Sequence, residues 1–229
     1  MITQIYSIQT KEEALACVRA GADYFGLAAG TGKGLPAELT LPQAKEIFDA
    51  VEGKIGRIAI TVADGPQDIY PVIEFLKPDV IHLCGNSYYA DAEFVKKAKA
   101  LQPGIEVLQA IPVTGPQAVE EAVRCGAFCD RLILDSVDPA IAGIGAAGVT
   151  HDWAVSREIC RRLAGTCKVI LAGGLGPDNV AEAIRQVRPW GVDSFTRTSR
   201  KTPGGSQKDP ELIRLFVERA RQAAGELGL

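Results

Sequence analysis

The sequence predicts a single-domain α/β protein, a (β/α)8 or TIM barrel spanning residues 1–229. Two observations carry that expectation. Short apolar runs alternate with amphipathic helix-like runs eight times, the pattern of parallel strands joined by helical crossovers. No linker, composition break or low-complexity segment divides the chain, and 229 residues suit one barrel. A doubly wound open sheet is the alternative, and the count of eight favours closure.

The strand-like runs are Ile2–Ile8, Tyr24–Ala28, Ile55–Val62, Val80–Cys84, Glu106–Ile111, Arg131–Asp135, Lys168–Ala172 and Gly191–Phe195. The helix-like runs are Lys11–Ala20, Leu41–Val51, Pro66–Leu76, Ala90–Leu101, Pro116–Cys125, Asp152–Ala164, Pro177–Val187 and Asp209–Ala224. Hydrophobic residues make up 47% of the chain, enough for a sizeable core. The net charge of −3 offers no basic field for nucleic acid. No basic segment followed by an apolar one opens the sequence, and no run of about 18 apolar residues occurs. A cytoplasmic monomer or homodimer, with no membrane and no nucleic-acid partner, is expected. The six cysteines are scattered, and Cys125 with Cys129 lacks the second half of a zinc set. No metal and no cofactor are expected.

A barrel of this kind keeps its chemistry at the C-terminal ends of the strands. The strand ends there offer Tyr6 and Ser7, Thr61 and Asp64, His82 and Cys84, Gln109, and Asp135 with Ser136. Strand 2 runs into Gly30-Thr31-Gly32-Lys33-Gly34, a glycine-rich loop with one cation, Lys33. Asp135 ends the apolar run Leu132-Ile133-Leu134. It is either a catalytic group or a cap on the next loop, and apolar walls would raise its pKa as a general acid requires. His82 and Cys84 share one side of strand 4, since strand side chains repeat every two residues. Tyr6 shares the inward face with Gln4 and Ile8, where its plain role is to plug the barrel.

The stretch Leu171-Ala172-Gly173-Gly174-Leu175-Gly176-Pro177 ends a buried strand in two glycines, and Pro177 is expected to open a helix. Adjacent glycines turn the chain sharply and leave amides unshielded. Amides just before a helix suit a phosphate, although a ligand-free tight turn has the same sequence. The loop from Thr196 to Lys208 carries four cationic residues and several hydroxyls. In a closed barrel it neighbours Gly173-Gly174, and the loops after strands 7 and 8 are the usual phosphate cradle. Thr196, Arg197 and Thr198 are therefore expected phosphate ligands with Gly173 and Gly174, and Lys33 and Gln109 are candidate substrate contacts.

Several segments resemble the phosphoribosylanthranilate isomerase family: Ala20-Gly21-Ala22-Asp23-Tyr24-Phe25-Gly26, Leu132-Ile133-Leu134-Asp135-Ser136, Gly145 to Trp153, Leu171 to Ile184, and Arg188-Pro189-Trp190-Gly191-Val192-Asp193. The resemblance runs over nearly the whole chain and is strongest after Leu132. It implies an Amadori rearrangement of an aminoaldose phosphate, a step of tryptophan biosynthesis, with Asp135 as general acid. It also implies a cysteine base at the position that Tyr6 occupies here. The family's Gln-Leu-His-Gly stands as His82-Leu83-Cys84-Gly85, and its Ser-Gly-Val-Glu lies near Thr196-Arg197-Thr198-Ser199. The family's substrate-holding arginine after strand 2 has no clear match; Lys33 is a substitute.

A phenol with pKa about 10 is a poor base at neutral pH. Cys84, and His82 beside it, are the other candidate bases. Three readings follow: a phosphosugar isomerase of this family with a rearranged base; a lyase or epimerase on another phosphorylated sugar; and a non-catalytic phosphometabolite binder. Absence of the cysteine argues against the first in its ordinary form, retention of Asp135 argues against the third, and a phosphosugar isomerase of this superfamily is the reading preferred.

Overall fold

Eight parallel strands close into a barrel in the order in which they occur along the chain. They are β1 (Ile2–Ile5), β2 (Tyr24–Ala28), β3 (Gly56–Thr61), β4 (Val80–Leu83), β5 (Glu106–Pro112), β6 (Arg131–Asp135), β7 (Lys168–Leu171) and β8 (Gly191–Ser194). Between and after them run α1 (Lys11–Ala20), α2 (Leu41–Ala50), α3 (Pro66–Leu76), α4 (Ala92–Leu101), α5 (Ala118–Gly126), α6 (Trp153–Arg162), α7 (Val180–Val187) and α8 (Pro210–Leu227). The structure is a computed structural model that describes residues 1–33, 35, 37–137, 143–145, 148–203 and 205–229. Gly34, Ala146, Ala147 and Gly204, which the sequence places in glycine-rich loops, lie outside the described residues.

The helices start where short polar side chains can accept from free amides. Thr10 caps α1, Asp91 caps α4, Asp152 caps α6 and Asp209 caps α8, while Thr40 and Gln43 form a reciprocal capping box on α2. Helix α7 begins at Val180, three residues later than Pro177 leads one to expect. Asn179 is the reason: its Oδ1 accepts from the Gly176 amide and its Nδ2 donates to the Gly174 carbonyl. Those bonds hold residues 174–179 as a turn ahead of the helix.

Strand alternation splits the core in two. Outward residues such as Ile5, Phe25, Leu27, Ile81, Val107 and Leu132 pack under the helices. Inward residues, among them Ile58, Ile60, Val80, Leu108, Ile133 and Ile170, fill the barrel. Ile8 belongs to the outer layer and not beside Gln4, because β1 ends at Ile5.

The N-terminal end of the barrel is plugged by a buried cation. The Arg131 guanidinium lies between the rings of Tyr24 and Trp190, 4.4 and 4.9 Å from their centroids. It donates to the Tyr24 hydroxyl at 2.7 Å and pairs with Glu106, which also holds Lys168 at 2.7 Å. A buried arginine needs compensating contacts; here they are the Tyr24 hydroxyl, Glu106 and the two ring faces, while Nε and Nη1 have no hydrogen-bond partner among the described residues.

The segment after β8 holds structure that the sequence does not announce. A 3-10 turn, Thr196–Thr198, leads into an antiparallel hairpin of β9 (Ser199–Thr202) and β10 (Gly205–Lys208). Among the described residues, no helix is long and apolar enough to cross a membrane.

Candidate active site

Inward parity brings a small set of side chains to the C-terminal mouth. Asp135, Gly148, Gly173, Gly174, Leu175, Asp193, Phe195 and Thr196 line one cavity there. Its volume is about 20 Å³, room for roughly one water molecule. A larger cleft of about 950 Å³ opens at the other end, beside Lys168, Arg188 and Trp190. That end of a barrel serves stability, so the small cavity at the mouth is the candidate site.

Asp135 stands at the end of β6 with its carboxyl facing that cavity. Burial pushes its pKa up to about 7 against one opposing interaction, the Ser136 amide that donates to Oδ1 at 2.7 Å. A carboxyl poised near neutrality is suited to give a proton at physiological pH. Two glycines make room for it. A Cβ on Gly145 would meet Asp135 Oδ2 at 2.5 Å, and one on Gly173 would lie 3.3 Å from Oδ1. Gly173 and Gly174 take φ of 79° and 60°, which favours residues without a side chain. The backbone of Val149 rests on that turn, 2.7 Å from where a Gly174 Cβ would sit. Across the cavity, Ser194 Oγ donates to the Leu175 carbonyl at 2.7 Å and fastens β8 to the same turn.

The three expected bases, Tyr6, Cys84 and His82, are buried and do not line the cavity. The Tyr6 ring lies over His82, centroids 5.4 Å apart, and its hydroxyl accepts from Gln4 Nε2 at 3.3 Å. Burial, with the charges of Asp193 and Cys84, drives the Tyr6 pKa well above the ordinary phenol. Cys84 Sγ donates to the Thr61 carbonyl at 3.3 Å, and burial pushes its thiol up to about 12. His82 is buried without a hydrogen-bond partner on either nitrogen, and burial lowers it to about 3. A deprotonated Tyr6 or Cys84 would be an unsolvated anion, and His82 touches no cavity residue through a polar bond.

The expected substrate contacts divide in the same way. Gly173, Gly174 and Thr196 line the cavity with Asp135. Gln109 does not reach it: β5 turns Gln109 toward the helices, where it accepts from the Ala90 amide and donates to the Leu83 and Ala110 carbonyls. Thr198 is fully buried and donates to the Phe195 carbonyl at 3.1 Å, which commits it to the turn. Arg197 leans out to Asp178, Nη1 to Oδ2 2.8 Å. Lys33 is anchored on Asp64 at 2.6 Å and on the Val62 carbonyl at 3.1 Å, at the rim but outside the cavity lining. Among the described residues, no group of three or more His, Cys, Asp or Glu could hold a metal ion.

Comparison with known proteins gives this site a lineage. The family profile of N-(5'-phosphoribosyl)anthranilate (PRA) isomerase matches residues 3–219. The chain belongs to the phosphoribosylanthranilate isomerase family. It is 32% identical over 218 residues to the N-(5'-phosphoribosyl)anthranilate isomerase of Methanocella arvoryzae, covering 95% of this chain and 97% of that one. It is 33% identical over 217 residues to the Haloferax volcanii enzyme of the same name, covering 94% and 91%. The phosphoribosylanthranilate isomerase structure from Thermotoga maritima superposes with a TM-score of 0.77 at 26% identity, over 97% of this chain and 100% of that one.

Against the phosphoribosylanthranilate isomerase pattern, two substitutions concern the mouth. Tyr6 occupies the position of the family's cysteine and fills the barrel axis with a neutral ring. His151 stands in the stretch that resembles a Phe-Asp-Trp helix start. Its Nδ1 is 3.2 Å from Ser136 Oγ and its Nε2 is 2.7 Å from Ser156 Oγ. Sequence reasoning passed over His151, because it lies in a loop and not at a strand end. It also passed over Asp193, which stands two residues before the end of the expected strand. Lys208 is a third omission. Its ammonium donates to the Phe195 carbonyl at 2.7 Å and to Ser199 Oγ at 2.9 Å, bracing the turn that carries Thr196.

Proposed function

We propose that this chain is a phosphosugar isomerase of the phosphoribosylanthranilate isomerase type, converting a phosphorylated aminoaldose to the aminoketose. The observation that carries the reading is Asp135, buried and held near pKa 7, in one cavity with the Gly173-Gly174 turn and Thr196. Amides freed by the two glycines and the Thr196 hydroxyl suit the phosphate. That end of the ligand fixed, the sugar ring lies over Asp135.

In this chemistry Asp135 gives its proton to the furanose ring oxygen. The C1–O bond breaks toward that oxygen, and the amine nitrogen's lone pair makes the C1=N bond of a protonated imine. Loss of the C2 proton then forms an enolamine, and its tautomer is the ketose. The cavity of about 20 Å³ is too small for a sugar phosphate, so its lining must open for substrate to enter.

The test is a fluorescence assay of purified protein with N-(5'-phosphoribosyl)anthranilate, alongside a thermal-shift series with other phosphorylated aminosugars. Turnover abolished by Asp135→Asn is the expected result. Tight binding without turnover of any of them would replace the isomerase by a binder.

A further inference from the structure

The isomerisation needs a base as well as an acid. Tyr6, Cys84 and His82 are each neutral and buried, and none lines the cavity. Among the described residues, one other ionisable group lines the cavity. Asp193 lies on β8, directly across the strand pair from Gln4 of β1. It is 4% exposed, lines the same cavity as Asp135, and its Oδ1 has no hydrogen-bond partner. A buried carboxyl oxygen left without a partner and facing a ligand cavity is a group held ready for something that arrives.

We propose that Asp193 is the second catalytic carboxyl of this barrel, accepting the C2 proton after Asp135 has released its own to the ring oxygen. The assignment rests on the isomerase reading above. The proton count closes. Asp135 loses one proton to the ring oxygen, and Asp193 gains one from C2, whose C–H electron pair becomes the C1=C2 bond while the imine nitrogen recovers its lone pair. The C2 hydroxyl then gives up its proton as C1 takes one, which leaves the ketone. Transfer from Asp193 back to Asp135 resets the pair, and substrate and product remain isomers.

Two carboxyls lining one small, buried cavity disfavour a second negative charge, so one proton held between them is the preferred state. Burial and the charge of Asp135 both raise Asp193. A singly protonated pair contains one acid and one base, the two functions required. The groups around it do not compete. Tyr6 faces it from the end of β1, Cys84 lies near Asp135 from β4, and both stay neutral. Lys208, behind β8, supplies a positive charge that opposes the rise, and the Gln4 side chain opposes it from β1. The tyrosine in the family's cysteine position therefore leaves this barrel with a working base.

Asp193→Asn keeps the side-chain shape and removes the basic oxygen. The expected result is a fall in kcat of roughly 10²–10⁴-fold, with the affinity for inorganic phosphate unchanged. The bell-shaped pH profile of the wild type should lose one limb. Infrared spectra of carboxyl-labelled wild type should show one protonated carboxyl at neutral pH that Asp193→Asn and Asp135→Asn each perturb. Absence of that band overturns the pair, whether or not the variants fold. Wild-type turnover that survives in Asp193→Asn with an unchanged pH profile overturns the role of Asp193 alone. A wild type that turns over no aminoaldose phosphate overturns the isomerase reading, and this assignment falls with it.

Discussion

Ser136 gives its single hydroxyl proton to the carbonyl of Val149, 2.6 Å away. That bond decides the state of His151. With its proton spent, Ser136 Oγ can only accept from His151 Nδ1 at 3.2 Å, so Nδ1 carries the hydrogen. Nε2 is then the acceptor for Ser156 Oγ at 2.7 Å, and the imidazole is neutral. The chain Ser156–His151–Ser136–Val149 fastens the loop over Gly174 to the residue beside Asp135.

Acid should loosen that fastening. Burial lowers His151 to about 4 and His82 to about 3, both below the free value of 6.5. The unfolded chain therefore binds these protons more readily, and stability falls as pH drops from 6.5 toward 4. Above 6.5 their contribution is fully present. Urea midpoints measured across this range should decline toward acid, and His151→Phe should flatten the decline. A decline equally steep in His151→Phe would remove His151 from the account.

Asp135 works in the opposite sense. Its folded pKa of about 7 lies above the ordinary 3.8, so the protonated form is the one the fold prefers. Its contribution is present below pH 3.8 and is lost as pH rises through 7. Asp135→Asn should raise the thermal midpoint at pH 8 and leave it unchanged near pH 4. Each tenfold difference in proton affinity between folded and unfolded chain is worth about 1.4 kcal/mol of that gain at most. The same variant should be inactive. A gain in stability bought at the expense of turnover is the usual mark of a catalytic group held in an unfavourable state.

Tyr6→Phe separates shape from chemistry. The hydroxyl accepts one bond from Gln4 at 3.3 Å, and its loss should cost about 0.5–1.5 kcal/mol of stability. Turnover should stay close to wild type, because Tyr6 carries no proton in the reaction. A fall in kcat of about 10²-fold or more, the scale of a lost general base, would return Tyr6 to the chemistry.

Gly174→Ala tests the turn. With φ at 60° and the Val149 carbonyl carbon 2.7 Å from the new methyl, the side chain meets both strain and a clash. The variant should lose phosphate affinity by calorimetry while the circular dichroism spectrum of the barrel is kept. Unchanged affinity would place the phosphate elsewhere.

The barrel was readable because periodicity is a property of many residues at once, and eight repeats outvote local ambiguity. Its exceptions are local. The β9–β10 hairpin escaped because Ser199-Arg200-Lys201-Thr202 and Gly205-Ser206-Gln207-Lys208 contain no apolar side chain, so no alternation marks them. Gln109 was misplaced because β5 runs on to Pro112 and puts Gln109 in phase with Val107 and Ile111, under the helices. Asp135 was legible as a charge ending an apolar run. Asp193 was not, since Ser194 and Phe195 follow it and the last residues of a strand carry the signal for the mouth. Arg197 and Thr198 carry the right chemistry for an anion, but Asp178 and the Phe195 carbonyl engage them first.

The cation sealed between Tyr24 and Trp190 has a bearing on ancestry. Removing Arg131 would leave Glu106 only its Lys168 partner and would empty the space between the Tyr24 and Trp190 rings, so a change at that end disturbs several packed groups at once. At the open end the contacts are single hydrogen bonds between neighbouring loops, such as Ser194 to Leu175 and Ser136 to Val149, and a tyrosine there fills the place of a thiol. A lineage built this way can trade one set of reacting groups for another in single steps, each intermediate still folded, and so change what it acts upon without passing through a broken protein.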